Sequence, residues 1–274
     1  MRYIIYIYKL EIMKHLFTIV LLLVGLKAPS VQKQSAFQKG EWFKFEMSYS
    51  GFIKAGNATL SLSETNLNGI SVYHVVGKGW TTGLIKAMFK VKDRYESFFD
   101  KETGVPYKFI RKIDEGGHTK DVEIKFDHKN KIAKVNNKKH KKVKTITTEQ
   151  DVQDMVSMYY FLRNNIDITS LKQGDEIKTN MFFDEENYGF KLKYLGRETI
   201  KVDINGSNVK VKTLKFRPYV MAGRVFKEEE SLTLWVSADK NKIPLKIKAD
   251  LAVGSLRADL IAFKGLKHSF KIEF

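Results

Sequence analysis

The chain has 274 residues, 43% of them hydrophobic and 12% aromatic, which is ample for a buried core and too apolar for a wholly disordered protein. It contains no cysteine, so disulfides, thiolate metal sites, cysteine nucleophiles and a lipidated N-terminal cysteine are excluded together. The formal charge of +17 is concentrated: eight lysines fall between Lys129 and Lys144, a stretch without a single acid.

The N-terminus reads as a targeting segment. From Met13 the sequence is MKHLFTIVLLLVGLKAPS, with a basic start at Lys14 and His15 and an apolar run from Leu16 to Leu26. Small residues follow at Ala28 and Ser30, as signal peptidase prefers. The apolar run is too short to cross ~30 Å of hydrocarbon as a helix. Residues 1–30 are therefore expected to be a signal peptide whose true start is Met13, the alternative being a retained N-terminal anchor. Either way the body is expected outside the cytoplasm, in the periplasm or cell envelope, with no later apolar run of spanning length.

Beyond the leader, apolar residues alternate with polar ones at the period of a strand. In WFKFEMSYS (42–50), Phe43, Phe45, Met47 and Tyr49 share one face. Further alternating runs follow around Leu60, Ile70–Val76, Tyr95–Phe99, Tyr107–Ile113, Val122–Phe126, Lys131–Val135 and Val143–Thr147. Gly83–Phe89 reads as a short helical turn. Gln150–Asn164 breaks the rhythm: Val152, Met155, Val156, Tyr159 and Leu162 recur at three and four residues, predicting an amphipathic helix of about four turns over 149–165. Glu149 and Asp151 would lie near its positive end. Strands resume at Ile177 and continue to a last one at His268–Phe274, with Trp235 expected in the core between alternating leucines.

The two halves echo each other. Asn68-Gly69 and Asn205-Gly206 are hairpin turn pairs between alternating strands, where glycine accepts a left-handed backbone. Downstream, FFDKETGVPYKF and WVSADKNKIPLKI each read as strand, Asp-opened turn, proline and strand. Gly69 to Pro106 is 37 residues and Gly206 to Pro244 is 38. These spacings predict a duplicated β unit, about 43–127 and 177–264, within a first segment 37–148 and a second 170–274. The fold class expected is mainly β: a curved antiparallel sheet or open barrel of two related units with one amphipathic helix against its concave face.

Sites for chemistry are sparse. The six histidines include no H-x-H and no H-E-x-x-H, which speaks against a zinc site. No G-x-S-x-G and no phosphate-cradling glycine loop occurs, and no catalytic residue, metal or cofactor is assigned. Asp184-Glu185-Glu186 and Glu228-Glu229-Glu230 are the carboxylate clusters a hydrolase of envelope polymers could use, but the preferred reading of both is a solvated turn. The lysine-rich stretch reads as a hairpin with Lys138, Lys139, Lys141 and Lys142 at its tip. It is either a protected sheet edge or a surface for anionic envelope components. It lacks the arginines and stacking aromatics that nucleic acid would want, so no nucleic-acid partner is expected. Trp80 and Arg224 fall in matching long loops of the two halves and are the candidate ligand contacts.

The opening GEWFKFEMSYSGFIKAGNATLSL and the stretch KFRPYVMAGRVFKEEESLTLWVSADKNKIPLKIKADLAVGSLRADL carry a resemblance over nearly all of 37–274. The chain resembles the DUF3108 family, exported bacterial proteins of unknown function common in the Bacteroidetes. More distantly, in pattern alone, it is similar to periplasmic lipoprotein carriers and other half-barrels. The resemblance implies an exported β protein and assigns no activity or site residue. The function expected is a non-enzymatic binding module for a lipid-like or glycan envelope component, against two alternatives: a carboxylate hydrolase, or a structural partner of an outer-membrane assembly.

Overall fold

The computed structural model of the protein describes residues 35–219, 232–251 and 253–273. The leader, Arg224 and Glu228–Glu230 lie outside the described residues. The first half supplies β1 (Trp42–Tyr49), β2 (Ile53–Leu67), β3 (Ile70–Thr81), β4 (Lys92–Asp100), β5 (Pro106–Glu115), β6 (His118–Asp127), β7 (Ile132–Asn137) and β8 (Lys142–Thr147). The second supplies β9 (Glu176–Phe183), β10 (Glu186–Ile204), β11 (Ser207–Tyr219), β12 (Leu232–Ser237), β13 (Pro244–Asp250) and β14 (Ser255–Lys264). Two helices are described, α1 (Gly83–Met88) between β3 and β4, and α2 (Ser157–Asn165) between β8 and β9.

All fourteen strands join one antiparallel sheet in the order β8 to β1, then β14 down to β9. The chain-consecutive strands β8 and β9 are thus its two outer edges. The sheet is curved and does not close into a barrel. Because neighbouring strands are joined by hairpins, the connections alternate between two ends. A loop end carries the turns after β1, β5, β7, β9 and β13 together with α1. The opposite, helix end carries the turns after β2, β4, β6, β10 and β12, and the segment containing α2.

Local chemistry explains the hairpins. Asn68 and Gly69 sit at φ 54° and 89°, Asn205 and Gly206 at 52° and 77°, the left-handed pair that a two-residue hairpin with right-twisted strands requires. Asp100 Oδ1 accepts the N–H groups of Glu102 (2.9 Å) and Thr103 (2.8 Å), and Asp239 Oδ1 those of Asn241 (2.9 Å) and Lys242 (3.2 Å). Pro106 and Pro244 then open β5 and β13, where a missing N–H costs least. The Asn-Gly turns thus follow β2 and β10, and the Asp-opened turns follow β4 and β12. A tighter constraint is Gly265, at φ 71°, whose Cβ would collide with the Gly40 backbone. Gly265→Ala is expected to cost about 2 kcal/mol or more, read as a fall in the urea midpoint.

The helix begins later than its apolar spacing suggests, at Ser157 rather than Gln150. Asp154 decides this. Its Oδ1 accepts the N–H groups of Val156 (2.7 Å) and Ser157 (2.8 Å), while its own N–H donates to Ser157 Oγ (3.0 Å). That reciprocal cap fixes the first turn. Just upstream, Gln153 pairs with the exposed edge of β9: its N–H donates to Asn180 O (2.9 Å) and its carbonyl accepts Phe182 N–H (2.8 Å). Val152 is buried from this strap and Val156 from the turn that leads into the helix, so only the second lies in helical backbone. The expected strand at His268–Phe274 is not formed in the described residues; Asn241 instead holds His268 through both its amide nitrogen and oxygen.

The helix plugs its end of the sheet. Tyr160 packs edge-on against Phe37 and beside Phe99 in one core, while Met158 and Leu162 enter another with Tyr194, Leu214 and Phe216. A third core, around Phe43, Val211, Leu245 and Leu260, lies where the two sheet halves meet. Between them Arg163, 3% exposed, forms a bidentate pair with Glu41 at 2.6 and 2.7 Å and donates through Nε to Asn241 O at 2.9 Å.

Candidate functional site

With the helix end filled, polar chemistry collects at the loop end. Strand register places Trp80 opposite Lys92, and Lys78 opposite Arg94, which is itself opposite Lys112. Alternation puts these five side chains on one face of β3–β5, while Val75, Ser97 and Phe109 point the other way, towards the core. The α1 connection adds Lys86 and Lys90. The result is a cleft of about 780 Å³ with Trp80 in its wall, lined by six cations against two acids, Asp93 and Asp114.

Part of that charge is neutralised inside the protein. Arg94 Nε pairs with Glu96 at 2.7 Å, Lys112 lies 3.8 Å from Asp121, and Lys90 lies 4.0 Å from Asp114. Lys78, Lys86 and Lys92 have no ion partner among the described residues, so the cleft keeps a positive field suited to an anion. Asp93 opposes that field near neutrality and weakens only in mild acid, because burial and the neighbouring Glu115 push its carboxyl up to about 6.

A second cavity, of about 330 Å³, opens on the concave side between β5–β7 and the β9–β10 turn. Phe109, Val122, Ile124 and Val135 form its apolar wall, and Lys139 and His140 reach its mouth. The turn enters it as a clasp. Asp184 accepts from Arg111 at 2.5 Å and Lys120 at 3.0 Å, Glu185 pairs with Lys144, and the Arg111 guanidinium lies 4.7 Å above the Phe183 ring. Burial pushes the Asp184 carboxyl up, but Lys120 and Arg111 outweigh it and hold the group below the ordinary aspartate range. The cluster is a turn with Asp184 exposed, as its sequence suggests, and its ion pairs are what the sequence did not show. It carries one sheet edge over to strands of the other, at the cost of left-handed backbone at Asp184 (φ 45°) and Glu185 (φ 71°).

The structure separates the residues singled out by the sequence. Trp80 lines the large cleft and Lys139 the small one. Lys138 pairs with Glu123 at 3.0 Å, and Lys139 Nζ donates to Thr119 O at 3.0 Å. Lys141 takes the left-handed turn position at φ 51°, and Lys142 opens the exposed edge strand β8 opposite Asn137. Trp235, expected in the core, is half-exposed on the outer face, where its N–H donates to Glu198 and Lys215 sits 5.3 Å over the ring. The cationic row of Lys78, Lys92, Arg94 and Lys112 escaped the sequence reading. Its signal, Lys78 on β3, Lys92 and Arg94 on β4 and Lys112 on β5, emerges only once the register is known.

Among the described residues, no group of three or more His, Asp or Glu could hold a metal ion, and no helix is long and apolar enough to cross a membrane. A family model described as a protein of unknown function, DUF3108, matches residues 44–261. The chain belongs to this family. Several solved structures are similar to this DUF3108 chain. A β-barrel-like protein of the DUF1849 family from Brucella abortus is 10% identical, with a TM-score of 0.54 over 85% of this chain and 100% of its own, a likeness of fold alone. A duf1089 family protein from Pseudomonas aeruginosa is 7% identical, with a TM-score of 0.36 over 72% and 89%. A candidate exported protein with a YmcC-like fold from Bacteroides fragilis is 9% identical, with a TM-score of 0.31 over 83% and 97%. No curated protein matches the sequence.

Proposed function

We propose that this DUF3108 protein is an exported envelope protein that binds an anionic, lipid-like component without chemically transforming it. The observation that carries this reading is the Trp80 cleft, whose about 780 Å³ falls in the size range of small-molecule sites and whose lining is rich in unneutralised lysine. Export rests on the leader read at 13–30. The lipid-like class is favoured over a glycan because, among the described residues, Trp80 is the one aromatic side chain lining the cleft, whereas three exposed apolar side chains, Leu84, Met88 and Phe89, lie in the adjoining connection. A headgroup would meet the cations while a chain runs along the apolar border.

The test is native mass spectrometry of the protein purified from its own envelope, followed by titration with a short-chain phosphatidylglycerol read by tryptophan fluorescence. A bound anionic amphiphile and a saturable signal lost in Trp80→Phe are expected. Arg94→Ala and Lys112→Ala should each weaken binding by about tenfold or more, as loss of a charged hydrogen bond does. No bound species together with no saturable signal would sink the reading. One observation supports a second reading: Asp93, raised to about 6 beside Glu115, is a carboxyl pair such as a hydrolase needs. Turnover of an envelope polymer, abolished by Asp93→Asn with ligand binding intact, would favour it.

A further inference from the structure

Beside the cleft, the loop end carries a rim of apolar side chains that no described residue covers. Three connections supply it. The β1–β2 turn presents Phe52 at 78% exposure, α1 presents Leu84 at 74% and Met88 at 77%, and the β13–β14 turn presents Val253 at 77%. Ile53 and Phe89 extend the same surface. Backbone bonds hold these connections side by side: Thr82 N–H donates to Ala55 O at 3.1 Å and Ser50 N–H to Ser255 O at 2.7 Å. The Tyr49 hydroxyl donates to Val253 O at 2.8 Å. Leu84 and Met88 are four residues apart on α1 and so project together.

Cations are set among them. Lys54 follows Ile53 on β2 and pairs with Glu46 at 2.8 Å while staying exposed, Lys86 and Lys90 belong to the α1 connection, and the Arg257 guanidinium lies against Gly51 in the β1–β2 turn. Apolar side chains of this size are ordinarily buried, and four of them more than seven-tenths exposed at one end of a sheet mark a contact surface. Their spacing selects the partner. They project from three separate connections with lysines between them, so they do not make the flat, continuous apolar face that a second copy or a folded partner would bury. Lysine stems beside apolar anchors suit an interface between hydrocarbon and phosphate.

We propose that this rim docks the protein on an anionic lipid surface, with Phe52, Leu84, Met88 and Val253 entering the headgroup boundary while Lys54, Lys86, Lys90 and Arg257 meet lipid phosphates. The docking does not depend on what occupies the cleft. It places the cleft mouth next to the surface, with the helix plug at the far end of the sheet.

The test is flotation of the processed protein with vesicles of phosphatidylcholine alone or with 30% phosphatidylglycerol (about one anionic lipid in three), repeated at raised salt. Binding to the anionic vesicles, weakened by salt, is expected. The triple variant Phe52→Ser, Leu84→Ser, Met88→Ser should bind at least about tenfold more weakly. Lys54→Ala should cost about fivefold. These side chains are exposed, so an unchanged thermal midpoint shows that the fold is intact. Arg94→Ala should leave vesicle binding unchanged while reducing cleft occupancy, which separates failure of the docking from failure of the ligand reading. Equal binding to neutral vesicles, no binding to either, or a dimer that the triple variant dissociates would each overturn the proposal, the last in favour of a second copy.

Discussion

Arg163→Met is expected to lower stability by about 3–5 kcal/mol, the usual cost of removing one partner from a buried ion pair. The substitution strands the Glu41 carboxylate, 1% exposed, without the two guanidinium nitrogens that hold it at 2.6 and 2.7 Å. It also removes a cation packed among four rings, those of Phe37, Phe43, Tyr159 and Tyr160, at 5.1–5.7 Å. Finally, it releases Asn241 O, through which α2 is tied to the β12–β13 turn. Against an ordinary domain stability of about 5–15 kcal/mol, that loss leaves little margin. The double variant Glu41→Met, Arg163→Met should recover most of the loss, because two apolar side chains of similar volume leave no buried charge. Urea unfolding of wild type, single and double variants gives both numbers. A single-variant loss below about 1 kcal/mol would mean that the pair is hydrated, and that α2 is held by its apolar contacts alone.

Much of the sheet was legible because strand signals are local. Period-2 alternation located Trp42–Tyr49 and Val122–Phe126, the Asn-Gly pairs fixed two hairpins, and Pro106 and Pro244 marked where β5 and β13 begin. What stayed hidden depends on contacts between distant parts of the chain. Pairing of β1 with β14 joins residues more than 200 positions apart, and no turn residue announces it. The lysine stretch looked uncompensated because its acids come from elsewhere: Glu123 on β6 meets Lys138, and Glu185 in the β9–β10 turn meets Lys144. The ion pairs of Asp184 stayed hidden for the same reason, since Arg111 and Lys120 lie 73 and 64 residues away. The candidate site was half-legible. Trp80 was visible as an aromatic candidate, but the long loop expected around it is the end of β3, and the cations beside it became a cluster only through cross-strand register.

The helix boundary leads to the second large effect. Asp154 is fully buried, and burial raises its carboxyl to about 6 from an ordinary 3.8, despite hydrogen bonds from Ser97, Ser157 and Val156 that favour the charge. The folded state therefore binds this proton more tightly than the unfolded chain does. The resulting stability is fully present below about pH 4 and is lost as the pH rises through 6, a difference of about 3 kcal/mol. The positive end of α2 opposes this by favouring the carboxylate, but by only about 0.3–1 kcal/mol in ordinary settings, and up to about 2 kcal/mol in favourable, partly buried ones, so burial wins. Asp154→Asn keeps an oxygen for the Val156 and Ser157 N–H groups, and its amide can donate to Ser97 Oγ. It should match wild type near pH 4 and exceed it at pH 7.5 by up to about 3 kcal/mol, the gap opening between those values. Asp154→Ala loses the cap and should cost about 1–2 kcal/mol relative to the asparagine variant at either pH. The check is the difference in urea midpoint between wild type and each variant at pH 4.0 and 7.5, which cancels groups that titrate in common. An asparagine variant weaker than wild type at pH 7.5 would show that the carboxylate is wanted at the start of α2, and that its cap is electrostatic rather than a pair of hydrogen bonds.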